Sequence, residues 1–469
     1  MARAAGSPTT VTTVLAASGT VAVLLQSLVV PLIPSIPAAL GTDVVGGSWV
    51  LTASLLAGAI AQPIVGRCGD IYGERRMLVF CLAAAIVGAV ISALSLSLGP
   101  MIVGRALQGM GMGIIPMGLS LLRRLLPADR LPAAVGTLGA TMGLGGALGI
   151  PVSAVVLAWF SWPWLFWFAA VCAALCLVLV LALIPASDTG PVRTRLDVPG
   201  AVGFGLAIGA LLVAITQGAA WGWTSPAFLA LLGGSILLLA GWCGYEWIRP
   251  APLVDIRLAL TPSVFWANLA GIAMGFSMMF VVIVLPLQIV APSSVSYGLG
   301  LSEFDIGWIM LPGGLAMMLA GPASARISQT WGARTTLQLG AALVAVGYAL
   351  ALLPAHAVIL MVSAVIVYCG FGLSFAALPL IIMAGTPTDR TAAANGLNAL
   401  MRSIGMTLAA TVASVVLATE RILVDGIDLA SPAAVTTTLL IGIGSGALGI
   451  ATAIGIPGHR RINQEEGVK

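Results

Sequence analysis

From Met77 to Leu98 the chain runs without one charged side chain, and apolar runs of this kind recur along almost its whole length. About 20 consecutive apolar residues suffice for a helix to cross the hydrocarbon core of a bilayer. Lipid offers the backbone no hydrogen-bond partners, so each run must close its bonds internally as a helix. A membrane β-barrel needs shorter segments that alternate polar and apolar; these runs are too long and do not alternate. Only 8% of the residues are charged and mean hydropathy is +1.10, against about 25% charged in a soluble domain. The chain is therefore expected to be an all-α polytopic membrane protein.

Fourteen spans are expected in its 469 residues. Six come first, at about Val11–Pro34, Gly47–Val65, Met77–Leu98, Pro100–Leu122, Ala134–Ala158 and Trp162–Ile184. A polar stretch at 185–197 precedes two more, Val198–Gln217 and Pro226–Trp247. Six follow at Val264–Val290, Phe304–Ala325, Thr335–Leu353, Val358–Gly385, Ala394–Thr419 and Ala433–Ile456. This divides the chain into a six-helix bundle (1–185), a linker with two inserted spans (186–257) and a second six-helix bundle (258–469). Trp162 and Trp164, and Trp221 and Trp223, fall at span ends, where aromatic side chains favour the membrane interface.

The net charge of +4 matters less than its placement. Arg67, Arg75, Arg76, Arg123, Arg124, Arg130, Arg193, Arg195, Arg249, Arg257, Arg326, Arg334, Arg390, Arg460 and Arg461 all fall in alternate connections. The other connections hold Asp43, Glu303, Asp305, Glu420, Asp425 and Asp428, with Arg421 as the basic exception. The positive-inside rule then puts both termini in the cytoplasm. The bilayer accounts for the basic residues, so nucleic acid is not an expected partner. The six cysteines read as small buried apolar side chains. No Cys/His cluster with metal spacing, nucleotide loop or nucleophile–base pair is visible, so no enzyme, cofactor or metal site is expected.

A repeat supports the layout independently of hydropathy. Pro127, Asp129, Arg130, Ala133, Ala134 and Gly136 recur as Pro387, Asp389, Arg390, Ala393, Ala394 and Gly396, an offset of 260. Arg67, Gly73 and Arg75 recur as Arg326, Gly332 and Arg334 at an offset of 259, and Gln329 stands at the position of Asp70. Two parallel six-span halves with an inserted pair explain both offsets.

The stretch Gly66–Arg76 is expected to be a tight charged turn between the second and third spans, with its glycines reversing the backbone. Asp70 lies between Arg67 and Arg75, able to pair with either or with a nearby helix end. Gly66, Asp70, Gly73, Arg75 and Arg76 resemble the signature loop of the major facilitator superfamily. Ile71 and Glu74 depart from that pattern, which usually has a basic residue at each place. Arg105 and Gln108 share a helix face toward the central cavity or the first span. They resemble the family's Arg followed three residues later by Gln-Gly, an Arg linked there to proton movement. Gly136, Gly145, Gly149 and Pro151, with Gly143 and Gly146 beside them, resemble the family's antiporter signature, with Ile150 intervening before the proline.

Three sets of candidates come from the residues alone. Asn398 and Arg402 share a face of the thirteenth span and are either a substrate or gating contact or a helix–helix structure. Gln26 is a polar group in the first span. Met278, Met279, Met310, Met317 and Met318 could line a pocket for varied apolar ligands or form plain core. No Asp or Glu falls in the middle of a span. Asp43, Glu303 and Asp305 are the external groups that could titrate. The resemblance implies a fourteen-span bacterial drug:proton antiporter acting by alternating access. It would be a monomer in the cell membrane that exports small lipophilic or cationic compounds in exchange for protons. A facilitator or narrow-substrate transporter without proton exchange is the alternative.

Overall fold

The computed structural model describes residues 7–32, 36–185, 195–424 and 427–457. Arg193, Asp425, Arg460 and Arg461 lie outside the described residues. Helices α1 (Pro8–Ser27), α2 (Ile36–Leu40), α3 (Val44–Tyr72), α4 (Glu74–Leu94), α5 (Leu98–Gly109), α6 (Ile114–Leu125), α7 (Leu131–Trp159) and α8 (Pro163–Leu183) form the first part. Next come α9 (Val198–Trp221), α10 (Pro226–Ile248) and the single turn α11 (Ile256–Ala259). The last part holds α12 (Pro262–Val290), α13 (Glu303–Trp331), α14 (Ala333–Leu350), α15 (Ala357–Ala384), α16 (Thr391–Thr419) and α17 (Pro432–Gly455). Between α16 and α17, strands β1 (Arg421–Val424) and β2 (Ile427–Ala430) pair antiparallel, with Arg421 opposite Ala430.

Eleven of these helices are long and apolar enough to cross a membrane, and twelve if α7, bent by 42° before Pro151, counts as one. Two of the fourteen expected spans fall short of that measure. The expected span Pro100–Leu122 is not one helix: a 3₁₀ turn over Met110–Gly113 separates α5 from α6. The glycines of that turn weaken the helix and let it pack closely, since a Cβ on Gly113 would meet Val65 at 2.8 Å and Cys81 at 3.0 Å. The other, α14, is only 18 residues long and carries Arg334 in its first turn.

The Gly66–Arg76 stretch also differs from its expectation as a loop. Helix α3 continues through Arg67, Asp70 and Ile71 to Tyr72, and α4 begins at Glu74. The reversal falls on Gly73 alone, at φ +98°, a left-handed conformation that favours glycine. The repeat does the same at Gly332, φ +87°, between α13 and α14. Gly66 does not turn the chain but lets another helix approach.

Helices α1, α3, α4, α5, α7 and α8 pack among themselves, as do α12, α13, α14, α15, α16 and α17. The sets meet mainly at two crossings, α3 on α16 and α7 on α13, with α7 also touching α15 and α6 touching α16. The hairpin α9–α10 lies against the first crossing. Phe204, Ile208 and Leu212 of α9 and Trp242 of α10 form a core with Ala59 of α3 and Leu400 of α16. Among the described residues, Arg75, Arg123, Arg124 and Arg390 tie helix ends together at one end of the bundle, called here the arginine-rich face, while Arg421 lies beyond the far end of α16.

Candidate functional site

At the arginine-rich face, Asp70 sits against the start of α16. Its Oδ1 accepts from Ala392 N–H at 3.1 Å and its Oδ2 from Ala393 N–H at 2.9 Å. Of the pairings open to it in the sequence, the carboxylate takes the helix end. The first N–H groups of a helix lack internal partners and carry the positive end of its dipole, so an anion there is stabilised. The two backbones come this close because Gly66 has no side chain. A Cβ there would lie 2.6 Å from the Ala392 carbonyl oxygen. One on Gly396 would lie 3.2 Å from Pro63 Cα.

Arg123, at the end of α6, adds a second tie. Its guanidinium donates to Thr391 Oγ1 at 2.6 Å and to the Thr386 carbonyl at 2.9 Å. Glu74, which breaks the usual basic pattern, is fully buried. It pairs with Arg124 at 2.7 Å and accepts from Ser120 at 2.9 Å, which fixes the end of α6 beside the start of α4. Arg75 donates to the Leu181 carbonyl at the end of α8, 2.9 Å away, and Arg76 is exposed. Arg390 pairs with Asp255, tying the link after α10 to the approach to α16.

From mid-bundle toward the opposite face lies a cavity of about 340 Å³. Its walls come from α1 (Gln26), α3 (Gln62), α7 (Met142), α9 (Thr216), α12 (Met278) and α16 (Arg402), with many apolar neighbours. The α3–α16 and α7–α13 crossings close it on the arginine-rich side. Arg402 is its single charged lining residue among the described ones.

Residues 15–410 match the sequence profile of the Major Facilitator Superfamily. The chain belongs to that superfamily. It is 25% identical over 397 residues to the uncharacterized MFS-type transporter YvkA of Bacillus subtilis (strain 168), covering 82% of this chain and 87% of that protein. It is 25% identical over 384 residues to the multidrug resistance protein Stp of Mycobacterium tuberculosis (strain CDC 1551 / Oshkosh), covering 81% and 70%. The human organic anion transporter MFSD10 (TETRAN) shares the fold with a TM-score of 0.69 at 16% identity, over 95% of this chain and 99% of that one.

Within this member of the superfamily the other expected residues separate. Arg105 and Gln108 are buried inside the first set of helices and bonded to each other. Arg105 also donates to the carbonyls of Val50 at 3.0 Å and Leu25 at 3.1 Å, so it faces the first span and does not line the cavity. The glycines of α7 face two ways. A Cβ on Gly136 would collide with Gly321 of α13, and one on Gly143 would lie 2.8 Å from Met317. Gly145 and Gly149 instead pack on α1, at Thr20 and Ser27, while Gly146 lines the cavity. Pro151 is exposed beyond the seam.

Asn398 donates to Ala267 O at 3.0 Å and Asn268 Oδ1 at 3.2 Å, a helix–helix contact to α12, while Arg402 one turn on reaches the cavity. Asp43 caps α3 through Gly46 N–H at 2.7 Å. Asp305 caps α13 through Ser302, and Glu303 beside it is exposed. Gln62 and the α9 wall are cavity features that the sequence reading passed over. Gln62 left a signal, a polar residue inside an apolar run, whereas Thr216 left none that separates it from ordinary helix.

Proposed function

We propose that this transporter is an exporter in a bacterial cell membrane. It moves small lipophilic compounds by alternating access in exchange for protons, as a monomer with both termini in the cytoplasm. The observation that carries this reading is the Met-lined cavity between the two sets of helices, closed on the arginine-rich side. Flexible, polarizable Met side chains suit apolar ligands of varied shape. The likeness to the multidrug resistance protein Stp supports the same reading. On the positive-inside rule the arginine-rich face is cytoplasmic, so the closed side faces the cell interior. The division at 1–185, 186–257 and 258–469 goes with this reading. So does a count of fourteen spans, with α5 and α6 together as one and α14 as another.

Gly66, Asp70, Gly73, Arg75 and Arg76 act in this reading as the latch that holds the cytoplasmic side closed. Its partners are the α16 N-terminus, reached by Asp70, and the end of α8, reached by Arg75. Arg105 and Gln108 preserve the helix geometry that a proton step would need.

A second reading, a facilitator without proton exchange, is favoured by the lack of any carboxylate among the described residues lining the cavity. The two are separated with full-length protein in liposomes under an imposed pH gradient, following a lipophilic fluorescent dye and lumenal pH together. Dye flux matched by proton counterflow supports the exporter. Flux that ignores the gradient supports the facilitator.

A further inference from the structure

Arg402 is 8% exposed, and among the described residues no hydrogen bond or ion pair holds its guanidinium. The guanidinium lies over the Phe375 ring, 5.0 Å from Cζ to the centroid. Gly275 of α12 makes room for it, since a Cβ there would lie 2.8 Å from Arg402 Cγ. A buried charge is normally paired, and a ring face offsets only part of its lost hydration. The buried carboxylates among the described residues are already taken. Asp70 holds the α16 N-terminus, Glu74 holds Arg124, and Glu246 accepts from Leu253 N–H at 2.7 Å.

Across the cavity, α1 brings a second donor without a partner, the buried Nε2 of Gln26. The hydroxyls along α16 donate elsewhere, Ser403 to Ala399 O and Thr407 to Ser403 O. The remainder of the wall is mostly apolar, with Met112, Met142, Met278, Met279 and Met406 prominent. Its further polar members are Thr52, Gln62, Thr216, Thr411 and Ser414. The polar end of the site therefore offers donors and positive charge, with no carboxylate to attract a cation.

We propose that the cavity binds an amphiphilic organic anion, its carboxylate, sulfonate or phosphate head on Arg402 and its one- or two-ring apolar body against the methionines. A planar guanidinium presents paired donors that match such a head. The volume of about 340 Å³ is at the small end for ligand pockets. The proposal rests on the cavity being the transport site, and it replaces the cationic part of the expected substrate range with its opposite.

The test uses three probes sharing one naphthalene fluorophore: dansylglycine (carboxylate), its methyl ester (neutral) and dansyl-ethylenediamine (ammonium). Binding to the purified full-length protein is titrated by fluorescence, and movement is followed in proteoliposomes. Dansylglycine is expected to bind about tenfold more tightly than the ammonium probe, the size of one charge-assisted contact. Arg402→Gln should level the three affinities, and Arg402→Lys should keep part of the preference. Met406→Glu, one turn along on the same face, should cancel the preference with Arg402 in place, and it decides the question if Arg402→Gln does not fold. Equal or tighter binding of the ammonium probe overturns the anion site. So does a preference that survives both Arg402→Gln and Met406→Glu. Arg402-dependent binding with no movement of any probe keeps the site and removes the transport reading. Movement without charge preference does the reverse.

Discussion

At the α3–α16 crossing a carboxylate, Asp70, holds two backbone N–H groups, and Arg123 adds two further bonds across the same gap. At the α7–α13 crossing the repeat counterpart of Asp70 is Gln329, which donates one bond to the Asp129 carbonyl at 3.2 Å. The difference extends to the facing helix. Ala392 gives Asp70 a donor, but its counterpart at the start of α7 is Pro132, which has no N–H. Met383 stands where Arg123 stands in the other copy. The acid, the donor and the arginine have all gone from one crossing and stayed at the other. What both keep is glycine contact, Gly66 and Gly396 at one and Gly136 and Gly321 at the other. The duplicated fold thus retains two close-packed crossings but puts its electrostatic tie on one of them.

The sharpest way to break this comparison is Asp70→Ala. It removes two charge-assisted bonds, each worth about 1.5–3 kcal/mol, and should lower the transport rate at least about tenfold. Hydrogen exchange at the start of α16 should quicken while the protein stays folded. Unchanged protection of Ala392 and Ala393 would show that the carboxylate does not hold the crossing.

Gly66→Val comes next. Its side chain would meet backbone, not a movable side chain, so closure of the α3–α16 crossing should fail. Transport should fall several-fold, with a loss of about 1–3 kcal/mol in thermal stability from overpacking. Gly136→Val should do the same at the other crossing, because glycine contact is the feature they share. Loss at only one of the two would mean that only one closes tightly during turnover.

The double change Gln329→Asp with Pro132→Ala restores the acid and the missing donor at the second crossing, with Met383 still in the arginine's place. It should raise the melting temperature and slow transport, by over-stabilising the closed state by about 1.5–3 kcal/mol. Gln329→Asp alone should gain less, since Pro132 still withholds one donor. Equal gains from the single and double changes would remove Pro132 from the explanation.

Gln329→Ala should have the smallest effect. The side chain is exposed and its one neutral bond falls at the bottom of the usual range, about 0.5 kcal/mol. Transport should stay within about twofold of the parent rate; a loss as large as that of Asp70→Ala would make the crossings equivalent.

Much of this was legible in the sequence for specific reasons. Asp70 and Arg402 stand out because a charge in or beside an apolar run costs too much to be idle. The repeat offset placed Gln329 and Gly332 correctly opposite Asp70 and Gly73. The extent of α3 was not legible, because Gly66 and Gly69 look like loop residues until the neighbours that require them, Ala392 and Met117, are in place. The two roles of the α7 glycines were hidden for a similar reason. Spacing tells which residues share a face, but not whether α1 or α13 lies against it. The break at Met110–Gly113 was obscured by hydropathy, which reads straight through it.

The placement of α9 bears on how this protein changes over time. One wall of the cavity, at Leu212 and Thr216, belongs to a hairpin that carries neither the Asp70 tie nor the Gly136 contact. Leu212 shares a core with Ala59 of α3 and Leu400 of α16, but Thr216 lies outside that core, so a substitution at Thr216 reshapes the chamber with little disturbance to the α3–α16 crossing. On the proposed transport reading, selection for a new ligand can therefore act at Thr216 first, and the ligand range can drift while the crossings stay as they are.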